Sequence, residues 1–213
     1  MLIRCVRVLV VGLALASCER ESPVEPAAPP AATSGPAITK ILESRGEVHI
    51  GGRFGTTGAV VVDGDWLETV GSDSQAVTHA RSVMTMQVFP DTLVNIWSPG
   101  DKPWIRVVKG RVLAYVHPGV EANFFGRGVT ATTDGTAASI VYVDAELLDP
   151  YVSWYEGAGR ISNGAITQPT GTGYAAALTY EASYGRFFPA RRDFYSPADA
   201  ERVRRIAHEN AVR

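Results

Sequence analysis

The chain has 213 residues and a formal net charge of −2, enough length for one domain of ordinary size. Near-balanced charge excludes the clustered basic surface that nucleic acid requires, so no nucleic-acid partner is expected. Its 46% apolar and 20% charged residues, with 21 Gly and 13 Pro, describe a packed core interrupted by turns, which favours β structure over long helices.

Taken in chain order, residues 1–17 read as a signal segment. Arg4 and Arg7 precede an apolar run from Val8 to Ala16, too short to span a bilayer, which needs ~20 residues. The run ends in Leu15-Ala16-Ser17-Cys18, which resembles the bacterial lipobox. That resemblance implies cleavage before Cys18 and acylation of its thiol, with the membrane bound through the N-terminal lipid. Several acyl chains anchor stably where one alone is marginal. Glu19 follows the cysteine, and by the sorting pattern of such lipoproteins this implies the outer membrane rather than the inner, facing the periplasm. Cys5, the other cysteine, lies in the segment to be removed, leaving no disulfide or thiolate metal site in the mature chain. Residues 18–37, "CERESPVEPAAPPAATSGPA", are too rich in proline and small residues to build a core. They read as an extended tether reaching on the order of 50 Å at ~3.1 Å per residue.

From Ile38 the chain is punctuated by Gly, Asp-Gly or Pro every few residues, with strand-like segments between. "GEVHIGG" reads as a short strand, and "GAVVVDGDWLET" as Val60–Val62, an Asp63-Gly64 turn and a second strand. Apolar residues alternate through Val83, Met84, Met86 and Val88, then Leu93, Val94, Ile96 and Trp97, and "WIRVVKGRVLAYV" gives two strands around Lys109-Gly110. "NFFGRGVTATTDGTAASIVYVD" and "YVSWYEGAGRISN" repeat the scheme, and a weaker strand is expected around Tyr174–Tyr180. The end differs. In "YSPADAERVRRIAHENAVR", Ser196 is the expected N-cap, Pro197 the first helical residue, and Val203, Ile206 and Ala207 an apolar stripe continued by Asn210 or Ala211. Arg202, Arg205 and Glu209 fall on the other face.

The motifs resemble the FecR domain, the periplasmic part of ferric-citrate-type signalling regulators. They are Gly46-Glu47-Val48, Gly64-Asp65-Trp66-Leu67-Glu68-Thr69, Pro90-Asp91-Thr92, Gly110 between two strands, Gly135-Thr136, and Glu156-Gly157. The resemblance covers roughly residues 40–180. With the short, evenly spaced strands it points to an all-β domain over 38–185, a short-stranded β-roll, solenoid-like or sandwich-like, and the C-terminal residues read as a helical tail at 186–213. The glycines are expected at tight turns, and Asp65, Thr69 and Thr136 as local backbone partners. The anti-sigma domain and membrane helix that such regulators carry ahead of this domain are not found here, nor is the Asp-Gly turn common between the central strands, replaced by His79-Ala80-Arg81-Ser82.

No catalytic constellation is found: no Gly-x-Ser-x-Gly, no His-Glu-x-x-His and no phosphate loop. His49, His79, His117 and His208 are isolated in sequence, so no metal and no cofactor is expected. Asp63 and Asp65 fit turn chemistry better than a Ca²⁺ loop. Asp144, Glu146 and Asp149 could supply a glycosidase-like carboxylate pair, but read more simply as a solvated loop. Trp66, Trp97, Trp104 and Trp154 sit near strand ends; most are expected in the core, with Trp104 the candidate for exposure. The expected function is a non-enzymatic, lipid-anchored envelope module that binds or senses through protein contacts, with Trp104, Arg202 and Arg205 as candidate contact residues. The alternatives are a polysaccharide- or peptidoglycan-binding lipoprotein and a glycan hydrolase.

Overall fold

The structure is a computed structural model that describes residues 35–99, 102–126, 129–145, 151–162, 167–177, 187–189 and 196–211. The signal segment, Cys18 and most of the tether, with Glu146 and Asp149, lie outside the described residues. The strands in chain order are β1 (Ala37–Ile50), β2 (Arg53–Phe54), β3 (Val60–Val62), β4 (Trp66–Ala80), β5 (Met84–Val88), β6 (Thr92–Trp97), β7 (Trp104–Lys109) and β8 (Arg111–Val116). They continue as β9 (Asn123–Gly126), β10 (Val129–Thr133), β11 (Ser139–Asp144), β12 (Tyr151–Glu156), β13 (Ala158–Ser162), β14 (Thr167–Gly171), β15 (Tyr174–Ala177) and β16 (Phe187–Pro189), followed by the helix α1 (Pro197–Ala211). The all-β class with a short C-terminal helix is thus the observed one. β16 falls inside the stretch expected to form a helical tail, where it pairs with β15. No helix among the described residues is long and apolar enough to cross a membrane.

All the strands join one sheet, organised by two long ones. β1 and β4 run antiparallel for most of their length, and β4 then serves two groups of strands. Its first half, Trp66–Thr69, pairs with β6 and leads on to β7, β9, β10, β13 and β14, the first wing. Its second half, Ala76–Ala80, pairs with β5 and leads to β8, β11, β12, β15 and β16, the second wing. Between the halves the pair bends. Gly46 and Gly71 adopt positive φ there, and β1 shifts register between Arg45 and Glu47. Ser74 Oγ accepts from the Glu47 amide at 2.8 Å and donates to the Val70 carbonyl. At the far side the wings meet again, because β14 and β15 are joined by the Thr172-Gly173 turn, whose amides donate to the Gly157 and Trp154 carbonyls. The sheet therefore rolls nearly into a barrel.

Inside the roll lies one core. Ile41, Val48 and Leu67 come from the long strands, Val94, Ile96, Ile105, Val107 and Phe124 from the first wing, and Met84, Met86, Val112, Ala114, Val141 and Trp154 from the second. The alternation seen in sequence is the cause: in β6, Thr92, Val94 and Ile96 are buried while Leu93, Asn95 and Trp97 are half-buried on the outside. β8 and β11 are apolar on both faces, and both faces are covered. Their second face, with Leu113, Tyr115, Ile140 and Tyr142, packs against Ala200, Val203 and Ala207 of α1. The helix starts where expected, with Ser196 Oγ accepting from the Ala198 amide at 3.0 Å. Arg202 pairs with Glu43 of β1, and Arg204 with Glu156 of β12.

Candidate functional site

Of the motif residues, Thr69, Thr92 and Gly110 come together, and the others serve separate turns. Thr69 Oγ1 donates to the Phe89 carbonyl at 2.6 Å and accepts from the Thr92 amide at 3.0 Å. Thr92 Oγ1 accepts from the Arg111 amide at 2.9 Å. Gly110, at φ +79°, lies flat against Thr92. These residues lock the start of β6 to the turn between β7 and β8 and to the first half of β4. Asp65 is a turn residue, its Oδ2 accepting from the Val62 amide at 3.0 Å, and Asp63 Oδ1 accepts from the Ser98 amide at 2.8 Å. Asp134 Oδ1 gathers the Thr136 amide and hydroxyl beside Gly135. Gly157 has positive φ and faces Ser139, and Glu156 is the ion-pair partner of Arg204.

The outer face of the first wing has a different character. Cross-strand register places His49 beside Phe54 and Glu68, and Glu68 beside Leu93. Trp66, Asn95, Arg106 and Phe125 form the next row. Trp97, Trp104, Asn123 and Thr132 form a third. Trp97 and Trp104 face each other across the β6–β7 hairpin, with centroids 5.9 Å apart and planes 24° apart. Arg106 lies over the Phe125 ring at 6.0 Å. Phe54 is 80% exposed, and Val60, Val108, Val70 and Trp66 lie between 36% and 49%. The expectation that most tryptophans fill the core holds only for Trp154, which is fully buried. Trp104 is half-buried on this face together with Trp97, and Trp66 beside them is exposed. Sequence patterning contained the signal: Trp66, Leu93, Asn95, Trp97, Trp104 and Arg106 all occupy the polar phase of their strands' alternation, which turns them outward.

The polar groups of this face are partly engaged within the protein. Asn95 Nδ2 donates to the Gly64 and Asp65 carbonyls at 2.7 and 3.0 Å, and Asn123 Oδ1 accepts from Thr132. At its rim Glu121 pairs with Lys102 and lies 3.7 Å from Arg160. The hydrogen bond from Lys102, more than any other influence, holds the Glu121 carboxyl below its usual range. Arg106 and Lys109 are exposed cations on the same side.

A second cluster lies beneath α1, where isolation in sequence gives way to proximity in space. His79 ends β4 and is buried, with Nδ1 2.9 Å from Thr85 Oγ1. His117, just beyond β8, packs edge-on against Tyr115 at 5.1 Å, and His208 of α1 lies over the same tyrosine, Nε2 3.3 Å from its hydroxyl. Burial lowers the pKa of His79, against a smaller opposite effect of the Asn210 backbone. Burial also lowers that of His117, helped by His79 and His208. The Tyr115 hydroxyl is raised, first by burial and then by Glu156, with Arg204 opposing. Among the described residues no group of His, Cys, Asp or Glu is arranged to hold a metal ion.

The other expected site residues are dispersed. Arg202 is turned onto Glu43, while Arg205 is exposed, 3.9 Å from Glu209. Asp144 is not a solvated loop residue: it is buried at the end of β11 and accepts from the Tyr142 hydroxyl at 3.1 Å. No protein-family model and no curated relative matches the chain. Among solved structures, the chain is similar to a candidate anti-sigma factor from Parabacteroides distasonis, at a TM-score of 0.46 and 10% identity, over 59% of this chain and 59% of that one.

Proposed function

We propose that the chain is a lipid-anchored, non-catalytic module of the bacterial envelope that senses or signals by docking a protein on the outer face of the first wing. In this reading residues 1–17 are the signal, 18–37 the tether from acylated Cys18, 38–185 the binding domain and 186–213 its tail, held at the periplasmic side of the outer membrane. The observation that carries it is the half-open Trp97–Trp104 stack on a face that also leaves Phe54, Trp66, Val70 and Val108 in water. Tryptophan and arginine dominate the energetics of protein interfaces, and grouped exposed apolar side chains mark docking surfaces. A sugar platform fits less well, because the amides flanking the tryptophans already bond within the protein and the aliphatic Val70 and Val108 offer nothing to hydroxyls. The partner's matching chemistry is an apolar segment flanked by carboxylates, which Arg106 and Lys109 would receive.

The test is in-cell photocrosslinking of the anchored protein, with the reactive group at Val108 or, as control, at the distant Thr172. An envelope protein captured from position 108, lost in Trp97→Ala/Trp104→Ala and diminished when Cys18→Ala removes the anchor, supports the proposal. Capture from both positions alike, or retention of purified envelope glycan with no protein captured, overturns it. In the latter case the polysaccharide-binding reading takes its place.

A further inference from the structure

The second wing treats its apolar outer face in the opposite way, by covering it, and the cover rests on imidazoles. α1 lies over β5, β8 and β11, and its last turn sits on the one place where three of the four histidines meet. His79 arrives from β4, His117 from the end of β8 and His208 from the helix itself. Around them stand Thr85 of β5, Tyr115 of β8 and the backbone of Asn210. The Nε2 atoms of His79 and His117 are buried without a hydrogen-bond partner among the described residues. A neutral imidazole tolerates this position as an unprotonated nitrogen at modest cost. An imidazolium would place an N–H and a positive charge there, beside two other imidazoles, a cost that the Asn210 backbone facing His79 offsets only in part. Of the charged groups on the surrounding elements, Lys40 of β1 stands opposite His79 in cross-strand register and adds positive charge, Arg205 lies near Glu209 on α1, Arg204 of α1 pairs with Glu156 of β12 and Arg202 with Glu43 of β1, while Asp144 of β11 receives the Tyr142 hydroxyl and Arg111 of β8 lies over the Phe89 ring.

We propose that α1 is a proton-sensitive cover, held down while His79 and His117 are neutral and released when they take up protons, which opens the outer face of β5, β8 and β11. The uncovered surface would present Leu113, Tyr115, Ile140 and Tyr142, with Phe89 and Tyr155 at its margin. Imidazole is the side chain that ordinarily titrates between pH 7.5 and 5.5, and burial lowers the pKa of both histidines below the ordinary value of 6.5. The released state, with both rings in water, therefore binds more protons than the docked one, and acid favours release. Two such groups raise the released-to-docked ratio by up to about a hundredfold at pH 5.5.

Amide hydrogen exchange on the full domain, compared at pH 7.5 and 5.5 after correction for intrinsic rates, reads the cover directly. Amides of residues 201–209 are expected to lose tenfold to a hundredfold in protection and to stay less protected than those of β6 and β7 at both pH values, because the helix lifts without the whole domain opening. The wild-type imidazole resonances of His79 and His117 should titrate with midpoints below 6.5 and in step with that loss. His79→Gln/His117→Gln should flatten the pH dependence; if that pair does not fold, His117→Gln alone should reduce it. Protection of α1 that does not change with pH overturns the proposal. So does exchange of the α1 amides at the same rate as the best-protected strand amides at both pH values, which would mean that the helix opens only when the whole domain unfolds.

Discussion

Replacing Gly110 by alanine should destabilise the domain far more than the same change at Gly71, although both glycines have positive φ, +79° and +85°. The left-handed backbone alone costs an L-residue about 1 kcal/mol or somewhat more, and Gly71→Ala should lose about that much, because a Cβ there meets nothing within 4 Å. At Gly110 the added carbon would stand 2.5 Å from Thr92 Cα and closer still to its Oγ1. Backbone is the obstacle, so Thr92 has to move. Thr92 holds the hub together: its amide donates to Thr69 Oγ1, and its hydroxyl accepts from the Arg111 amide. Losing these two hydrogen bonds costs about 1 kcal/mol each, more where a buried donor is left unpaired. The sum is about 3–5 kcal/mol, a large part of the 5–15 kcal/mol that typically separates folded from unfolded domains. Urea unfolding followed by tryptophan fluorescence measures both variants, with the slope against denaturant checked for constancy. Equal destabilisation by the two substitutions would refute the steric reasoning and leave only the backbone term.

Thr69→Val keeps the shape but strands the Thr92 amide, and should cost about 2 kcal/mol in the same assay. Ser196→Ala removes the cap of α1 and should weaken it by about 1 kcal/mol, read as faster amide exchange in residues 198–203 with the strands unaffected. Arg204→Ala breaks exposed ion pairs with Glu156 and Glu201 and should change unfolding stability by less than about 1 kcal/mol. Unfolding stability itself should rise with pH between 5.5 and 7.5. The pKa values of His79 and His117 are lowered on folding, so the unfolded chain binds more protons. Their stabilising share is whole above pH 6.5 and fades as pH falls below it.

The strands and the closing helix were legible because each carries its own period. Alternation in "TLVNIW" and the spacing of Val203, Ile206 and Ala207 are local facts, and the observed burial follows them. The motif glycines and threonines were legible as turn chemistry, but not as one hub: Thr69, Thr92 and Gly110 meet only because β4, β6 and the β7–β8 turn are neighbours, a property of topology. The histidines failed for the same reason. His79, His117 and His208 are separated by 38 and 91 residues in the chain, and no pattern within any one segment announces that β4, β8 and α1 share a corner. Nor could the sequence distinguish Trp154, which lies on the inner side of the second wing, from Trp97 and Trp104 outside the first without the register that sets each strand's phase.

The contrast between the two outer faces is what makes the first wing the place to look for a partner. Both faces carry large aromatic side chains, and either would be costly to leave in water over a wide area. On the second wing the chain meets that cost itself, laying the stripe of α1 over Leu113, Tyr115, Ile140 and Tyr142 and fixing it at its edges with Arg202–Glu43 and Arg204–Glu156. On the first wing no described segment does the same for Phe54, Trp66, Trp97 and Trp104. Nor are these residues scattered: Trp97 stacks on Trp104 and Arg106 lies over Phe125, so that aromatic and cationic groups form one patch of the composition that interfaces use. On the docking proposal the uncovered aromatic face is the one that receives a partner, and on the proton-cover proposal the second face becomes available only when its helix lifts.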